Sequence, residues 1–329
     1  MQSLSGAGVD RFGRRGFLRG LGGLSALTAL GGALAGCTSP SAGGSGGLRV
    51  VSHSVSGRMH TYRFATSEIS TQPAVNVLLP EDYDESPTRR YPVLYLLHGG
   101  LGNHRSFDEH HDIRALTAGR RLIVVMPDGG NAGWYCNPVS SFAGPRNWEN
   151  FHIHQLLPWV DANFRTHADY DGRAVSGFSM GGFGALKYAA KYYGHFASVS
   201  SHSGPASLRR DLGVVVHWAN TSSAAVELLG GMVYGAPWAQ ARVSADNPVE
   251  RLPSYRNKRV FLACGLGNDP IDLDVQEAEV RNGHREFRGL LDEAGIPHEA
   301  HELPGGHFVR REMLQRDIDG VIDRLRTAA

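Results

Sequence analysis

The segment Arg173–Tyr193, RAVSGFSMGGFGALKYAAKYY, decides the fold, because it reads as a buried strand, a sharp turn and a helix in immediate succession. The turn carries the pattern G-x-S-x-G at residues 177–181, which places a serine at the corner. The backbone of such a corner is strained, so the positions two before and two after the serine must lack a Cβ. The segment therefore predicts Ser179 as a nucleophile, with the Met180 N–H at the helix N-terminus as an oxyanion donor.

The same pattern occurs again at residues 43–47, around Ser45, within SPSAGGSGG. That copy has no hydrophobic neighbours and therefore neither the strand nor the helix that the chemistry requires. Ser176 lacks the flanking glycines. The alternative interpretation of Ser179 is a glycine-rich packing turn without catalysis.

Strands alternate with helices along the rest of the chain. Continuous apolar runs that end in glycine are typical of strands buried on both faces of a parallel sheet; they lie at 91–100, 121–130, 173–182, 196–204 and 258–269. Two earlier runs with period-two patterning, at 48–57 and 73–83, indicate antiparallel edge strands. Helical periodicity falls at 148–164, 182–193, 274–295 and 310–325. The pattern predicts one α/β domain, with a mostly parallel central sheet and helices on both faces.

A nucleophilic serine needs a base, and in α/β sheets of this kind the order along the chain is serine, then acid, then histidine. His307 follows Pro304-Gly305-Gly306 between a short strand and the final helix, so it is the predicted base. Asp269 is the first aspartate after the glycine turn at 265–267, so it lies nearest the strand end and is the predicted acid. Asp272 is the second candidate.

The sequence also bears on the second oxyanion donor and on metal binding. The turn His98-Gly99-Gly100 predicts the Gly100 N–H as the second oxyanion donor, with the Leu101 N–H as the neighbouring candidate. The sequence HEAHE at 298–302 misses the H-E-x-x-H spacing by one residue, so we expect no catalytic metal, and nothing predicts a cofactor.

The N-terminal region reads as an export signal. Arg14 and Arg15 precede the uncharged run 21–36, which is typical of the twin-arginine route and is too short for a spanning helix. The run ends in a stretch that resembles a lipobox, with Cys37 as the acylated residue. We therefore expect a signal peptide over 1–36, a flexible tether over 37–47 and a catalytic domain over 48–329, held at the outer face of a membrane or secreted.

The charge of the chain gives no indication of a nucleic-acid partner. The chain has 33 basic and 32 acidic side chains, a net charge of +1, and no run of like charge, so nothing predicts nucleic-acid binding. Cys136 and Cys264 could form a disulfide in an oxidising compartment or remain two buried thiols.

Taken together, LLHGG, VVMPDGG, SGFSMGGFGALKYA and PGGH resemble the esterase D family of α/β-hydrolases, which includes S-formylglutathione hydrolases, feruloyl-type esterases and envelope acyltransferases. The resemblance implies an α/β-hydrolase fold, Ser179 and His307 as nucleophile and base, and Gly100 with Met180 as oxyanion donors. It also implies contacts to a small acyl ester or thioester from Leu101, Asn131 and Trp134.

The sequence thus predicts an exported serine esterase tethered to a membrane. An acyltransferase that passes the acyl group to a sugar or a glyceride is one alternative, and a non-catalytic binding module is another. The stretch 205–251 is predicted as an insertion that covers the site. How well it lets an acceptor bind in place of water would decide between an esterase and an acyltransferase.

Overall fold

The computed structural model describes residues 47–227, 231–267 and 275–326. Their centre is a nine-stranded sheet. Its strands are β1 (Arg49–Ser56), β2 (Met59–Ala65), β3 (Ala74–Leu78), β4 (Val93–Leu97), β5 (Ile123–Pro127), β6 (Arg173–Phe178), β7 (Ser198–His202), β8 (Arg259–Gly265) and β9 (Glu299–Leu303).

The order across the sheet is β1-β2-β3-β5-β4-β6-β7-β8-β9. The first three strands and β5 pair antiparallel, and all later neighbours pair parallel. The mostly parallel sheet is therefore confirmed, as are the five glycine-ended runs, which supply β4 to β8. The sequence did not predict β2, which pairs between the two early runs. The edge position predicted for both runs is therefore correct for β1 and wrong for β3, which is interior; the opposite edge is β9.

Helices cover both faces of the sheet, as predicted. They are α1 (Ser106–His110), α2 (Ile113–Leu116), a π-helix (Asn150–Leu156), α3 (Leu157–Asn163), α4 (Met180–Lys191), α5 (Arg210–Val226), α6 (Gln240–Asp246), α7 (Val275–Glu293) and α8 (Arg311–Arg326). Side chains of alternate strand residues enter two separate cores. One core contains Phe183 of α4 and Phe287 of α7, and the other contains Ile113 of α2 with Ile318 of α8.

The stretch 205–251 holds α5, α6 and two 3₁₀ helices, Pro248–Glu250 and Leu252–Tyr255. The beginning of α5 is irregular, with positive φ at Asp211, Leu212 and Gly213. Just beyond the end of α5, Glu227 accepts the Ala132 N–H at 2.8 Å and pairs with the Arg146 guanidinium. These contacts fasten the stretch to the loop after β5.

No helix among the described residues is both long and apolar enough to cross a membrane.

Candidate active site

The strand-to-helix corner between β6 and α4 holds Ser179 in a strained backbone conformation, with φ 54° and ψ −121°. A Cβ on Gly177 would lie 2.3 Å from the Gly181 oxygen, and a Cβ on Gly181 would lie 2.1 Å from the Leu97 oxygen. Real Cβ atoms do not approach so closely, so both positions require glycine. The Ser179 N–H donates to the His202 oxygen at 2.8 Å, which ties the corner to the end of β7.

The structure brings the predicted nucleophile and the predicted base together. The Ser179 Oγ lies 2.7 Å from the His307 Nε2, although the two residues are 128 positions apart. His307 lies in the loop between β9 and α8, and its ring packs 5.0 Å from the Phe178 ring. Its side chain is 15% exposed, and that of Ser179 is also mostly covered. The geometry is that of a hydroxyl that can pass its proton to an imidazole.

The carboxylate on the other ring nitrogen belongs to Glu277. The His307 Nδ1 lies 2.6 Å from the Glu277 Oε2, in the first turn of α7. Asp269, the predicted acid, and Asp272, the second candidate, lie outside the described residues, as does Asp274 close behind them. The residue that reasoning from the sequence missed is therefore Glu277, and the acid in the proposal below is Glu277 in place of Asp269.

A signal for Glu277 was present in the sequence. The buried face of α7 carries Val280, His284, Phe287 and Leu291, and Glu277 continues that face toward the helix N-terminus. An acidic residue on the buried face of an amphipathic helix needs partners, because burying an unpaired charge costs several kcal/mol. Chain order and nearness to the strand end predict the acid in the loop directly after β8, not in the helix that follows.

Glu277 is fixed by donors from three directions. The Ser203 Oγ donates to the Glu277 Oε1 at 2.8 Å, the Gly265 N–H donates to the same oxygen, and His307 binds the other oxygen. Burial raises the pKa of this carboxyl, but the hydrogen bonds from His307, Gly265 and Ser203 outweigh burial and hold the pKa below its usual value. Glu277 is therefore an anion at neutral pH, which orients the imidazole and stabilises its protonated form.

The turn after β4 runs directly beside the nucleophile. A Cβ on Gly99 would lie 2.9 Å from the Phe178 ring and 3.3 Å from the Ser179 Cβ. The Leu101 N–H donates to the Asn131 oxygen at 2.7 Å, so it is already used. Gly100 therefore remains the predicted donor from this turn, and Met180, as the first residue of α4, has an N–H outside the intrahelical ladder.

The three residues predicted to contact the substrate, Leu101, Asn131 and Trp134, differ in solvent exposure. Leu101 has φ 62° and its side chain is 63% exposed beside Gly100. Asn131 is exposed, and its carbonyl anchors Leu101. Trp134 is only 7% exposed; its indole N–H donates to the Ser222 Oγ at 2.8 Å, and its backbone N–H donates to the Met180 Sδ at 3.2 Å. Trp134 therefore joins α5 to the residue after the nucleophile, and it offers little surface to a ligand.

A buried polar cluster lies below the corner. Asp317 of α8 accepts hydrogen bonds from Ser176 at 2.8 Å, from Ser200 and from Arg259, and lies 3.1 Å from the His202 Nε2. Burial raises the pKa of Asp317, but His202 and Arg259 reverse that effect and keep the pKa far below its usual range. Because the His202 oxygen accepts the Ser179 N–H, this cluster supports the corner from underneath.

Cys136 and Cys264 are free and buried, so the structure contains no disulfide between them. Within the described ranges no group of three or more His, Cys, Asp or Glu side chains could hold a metal ion.

Comparison with known proteins places the chain in a family. A family model described as "Putative esterase" matches residues 66–312. The chain belongs to this esterase family. The predicted family resemblance is therefore confirmed.

The chain is 65% identical over 289 residues to Esterase Rv1288 of Mycobacterium tuberculosis, an alignment that covers 86% of this chain and 63% of the relative. It therefore spans less than two thirds of that relative's length. Among solved structures, the S-formylglutathione hydrolase of Agrobacterium tumefaciens matches with a TM-score of 0.66 and 16% identity, over 84% of this chain and 99% of the other. MPT51 of Mycobacterium tuberculosis matches with a TM-score of 0.63 and 20% identity, over 80% and 97%. These likenesses confirm the α/β-hydrolase fold.

Proposed function

We propose that this chain is a serine esterase that hydrolyses acyl esters or thioesters through an acyl-enzyme on Ser179. The observation that carries the proposal is the continuous hydrogen-bonded line from Glu277 through His307 to Ser179, with distances of 2.6 and 2.7 Å. Membership of the esterase family and the 65% identity to a named esterase support the same reaction.

The first half of the reaction forms the acyl-enzyme. The Ser179 Oγ attacks the carbonyl carbon while the His307 Nε2 accepts the hydroxyl proton. Negative charge develops on the carbonyl oxygen, which accepts hydrogen bonds from the Gly100 and Met180 N–H groups. As the tetrahedral intermediate collapses, His307 returns the proton to the leaving alcohol or thiol.

The second half releases the acid. A water molecule gives its proton to His307 and attacks the acyl carbonyl, and His307 then protonates the departing Ser179 Oγ. Glu277 stays ionised throughout, because three donors hold it, and it stabilises the imidazolium in both halves.

Ester turnover tests the proposal. Ser179→Ala should abolish hydrolysis of a p-nitrophenyl ester while the melting temperature stays unchanged. Ser45→Ala, which alters the serine of the second G-x-S-x-G copy, is the matched control and should keep full activity. Turnover near the wild-type rate in Ser179→Ala would reject the proposal.

The identity of the product tests hydrolysis against transfer. Incubation with an acyl ester in the presence of a glycolipid or a diacylglycerol should yield free acid alone. Acylated acceptor as the main product would replace the esterase by an acyltransferase that uses the same residues.

We also propose that the enzyme is exported by the twin-arginine route and anchored by a lipid on Cys37, which lies outside the described residues. The arginine pair at 14–15 and the lipobox-like stretch before Cys37 support this location. Its substrates would then be small esters at the outer face of a membrane.

A further inference from the structure

We infer that Arg310 is a positioning residue that holds the loop carrying His307 in the shape the reaction needs. The inference rests on the proposed function, since it assigns how the base of that reaction is presented. Arg310 lies three residues after His307 and immediately before α8, and its guanidinium binds backbone oxygens of the same loop.

The guanidinium of Arg310 binds the loop on both sides of His307. Its Nη2 lies 3.0 Å from the Pro304 oxygen and 3.3 Å from the Gly306 oxygen, and its Nη1 lies 3.3 Å from the Phe308 oxygen. Arg310 is itself only 7% exposed. A buried cation needs acceptors, and here the backbone carbonyls of one short loop supply them. The planar fork can reach several carbonyls at fixed angles, which a lysine ammonium cannot do.

The same loop packs against the strand end that holds the acid. A Cβ on Gly265 would lie 2.6 Å from both the Gly305 and Gly306 oxygens and 2.9 Å from the Arg310 Nη2. The Gly265 N–H donates to Glu277. The Arg310 guanidinium and the loop that carries His307 therefore pack directly against Gly265, which donates to the acid. A shift of this loop changes the geometry between His307 and Glu277.

Arg310 also contacts the residue that follows the base. Its guanidinium carbon lies 4.3 Å from the centroid of the Phe308 ring, a cation–π contact, and the Phe308 ring is 44% exposed. Gly305 has φ +100°, a conformation that side chains rarely adopt, so the loop is tightly bent. One side chain thus sets the path of the backbone on both sides of His307.

Kinetics of two variants test the inference. Arg310→Lys should lower kcat about tenfold and Arg310→Ala roughly 100-fold, with KM within threefold of wild type, since small misplacements of a catalytic group reduce the rate of the chemical step. Guanidinium chloride at tens of millimolar should restore at least tenfold of the kcat of Arg310→Ala, whereas equal sodium chloride should not. Arg311→Ala removes a neighbouring arginine in an exposed ion pair with Asp112, and as the matched control it should behave as wild type.

Each kcat is expressed per active site titrated with a fluorophosphonate, so that unfolded protein does not count. A purely structural role would lower the number of active sites and leave kcat per site unchanged, and that result would overturn the inference.

Hydrogen–deuterium exchange of residues 303–308 gives a readout that does not depend on turnover. Exchange should be at least tenfold faster in Arg310→Lys than in wild type or Arg311→Ala, and equal exchange would overturn the inference. If wild-type protein hydrolyses no ester, the proposed function fails, while the inference about Arg310 is still decided by this exchange.

Discussion

Glu277 is held by three donors at once, so its carboxylate has one orientation and one charge state at neutral pH. An acid fixed in this way keeps the His307 Nδ1 protonated, so that the lone pair of Nε2 can accept the Ser179 proton. If a glutamine at position 277 turned its NH₂ group toward the His307 Nδ1, it would favour the imidazole tautomer that is protonated at Nε2. That tautomer cannot accept the Ser179 proton.

We therefore expect Glu277→Gln to lower kcat/KM by roughly 10³- to 10⁴-fold, as the loss of a triad acid does elsewhere. Glu293→Gln, at an exposed position of the same helix, should have no effect. Asp269→Asn and Asp272→Asn should both retain activity. Loss of activity in Asp269→Asn together with an active Glu277→Gln would return the acid role to the loop after β8.

The close packing of the corner at Ser179 predicts how glycine substitutions change the free energy of unfolding. Gly181→Ala should destabilise the fold by about 3 kcal/mol, because its Cβ would lie 2.1 Å from the Leu97 oxygen, and backbone atoms cannot move aside cheaply. Gly289→Ala adds the same methyl group to α7 where no atom lies within 4 Å, and it should stabilise by about 0.5 to 1 kcal/mol. Urea unfolding of both variants measures the difference. Equal stabilities would show that the corner is looser than its geometry indicates.

The helix α7, which carries Glu277, also contacts the start of α5 in the segment 205–251. Glu279 lies two residues after Glu277, and its Oε1 is 3.6 Å from the Arg210 Nε at the start of α5. Burial and the neighbouring Asp211 together raise the pKa of Glu279 to about 7, although the positive charge of Arg210 acts in the opposite direction. The contact between α7 and α5 therefore favours the protonated carboxyl.

The direction of the pH effect follows from this pKa. A carboxyl whose pKa is higher in the folded state than the ordinary 4.5 stabilises the fold below about pH 4.5, and this contribution is lost as pH rises toward about 7. Glu279→Gln should therefore melt at a higher temperature than wild type at pH 8 and at the same temperature at pH 5. Glu293→Gln is again the control. A difference in melting temperature that does not change with pH would contradict the raised pKa.

The strands and helices themselves were largely predictable, for a physical reason. A strand buried on both faces is mostly apolar, so β4, β5 and β8 stand out as nearly continuous apolar runs, whereas β6 and β7 also bury serines. The exposed strand β1 and the mixed strand β2 carry a weaker period-two signal, and the sequence predicts only β1 of the two. The irregular start of α5 has no local signature, because its positive φ angles fall on Asp211 and Leu212 as well as on Gly213.

At the scale of the whole molecule, the active site depends on contacts between distant parts of the chain. Ser179 and His307 follow local rules of their own, a glycine corner and a glycine-bounded loop, and so both could be predicted from the sequence. Glu277 lies on the buried face of an amphipathic helix, which marks it as an acid that needs a partner but does not say which partner. Arg310 and Asp317 likewise act through partners that only the folded chain brings near.

The proposed lipid anchor is also a property of the whole molecule. Cys37→Ala should move the protein from the membrane fraction to the soluble fraction of an expressing bacterium, while ester turnover by the released protein stays unchanged. Cys136→Ala, at a buried free thiol, is the control and should leave the protein in the membrane fraction. Membrane retention of Cys37→Ala would contradict anchoring at this residue.

The central claim is that Glu277 and His307 activate the Ser179 hydroxyl as a nucleophile. Reaction of the folded protein with a fluorophosphonate, followed by digestion and mass spectrometry, tests it most directly. The prediction is one label per chain, on Ser179, formed in wild type and not in His307→Ala. Labelling on another residue, or equally fast labelling of Ser179 without His307, would contradict the claim.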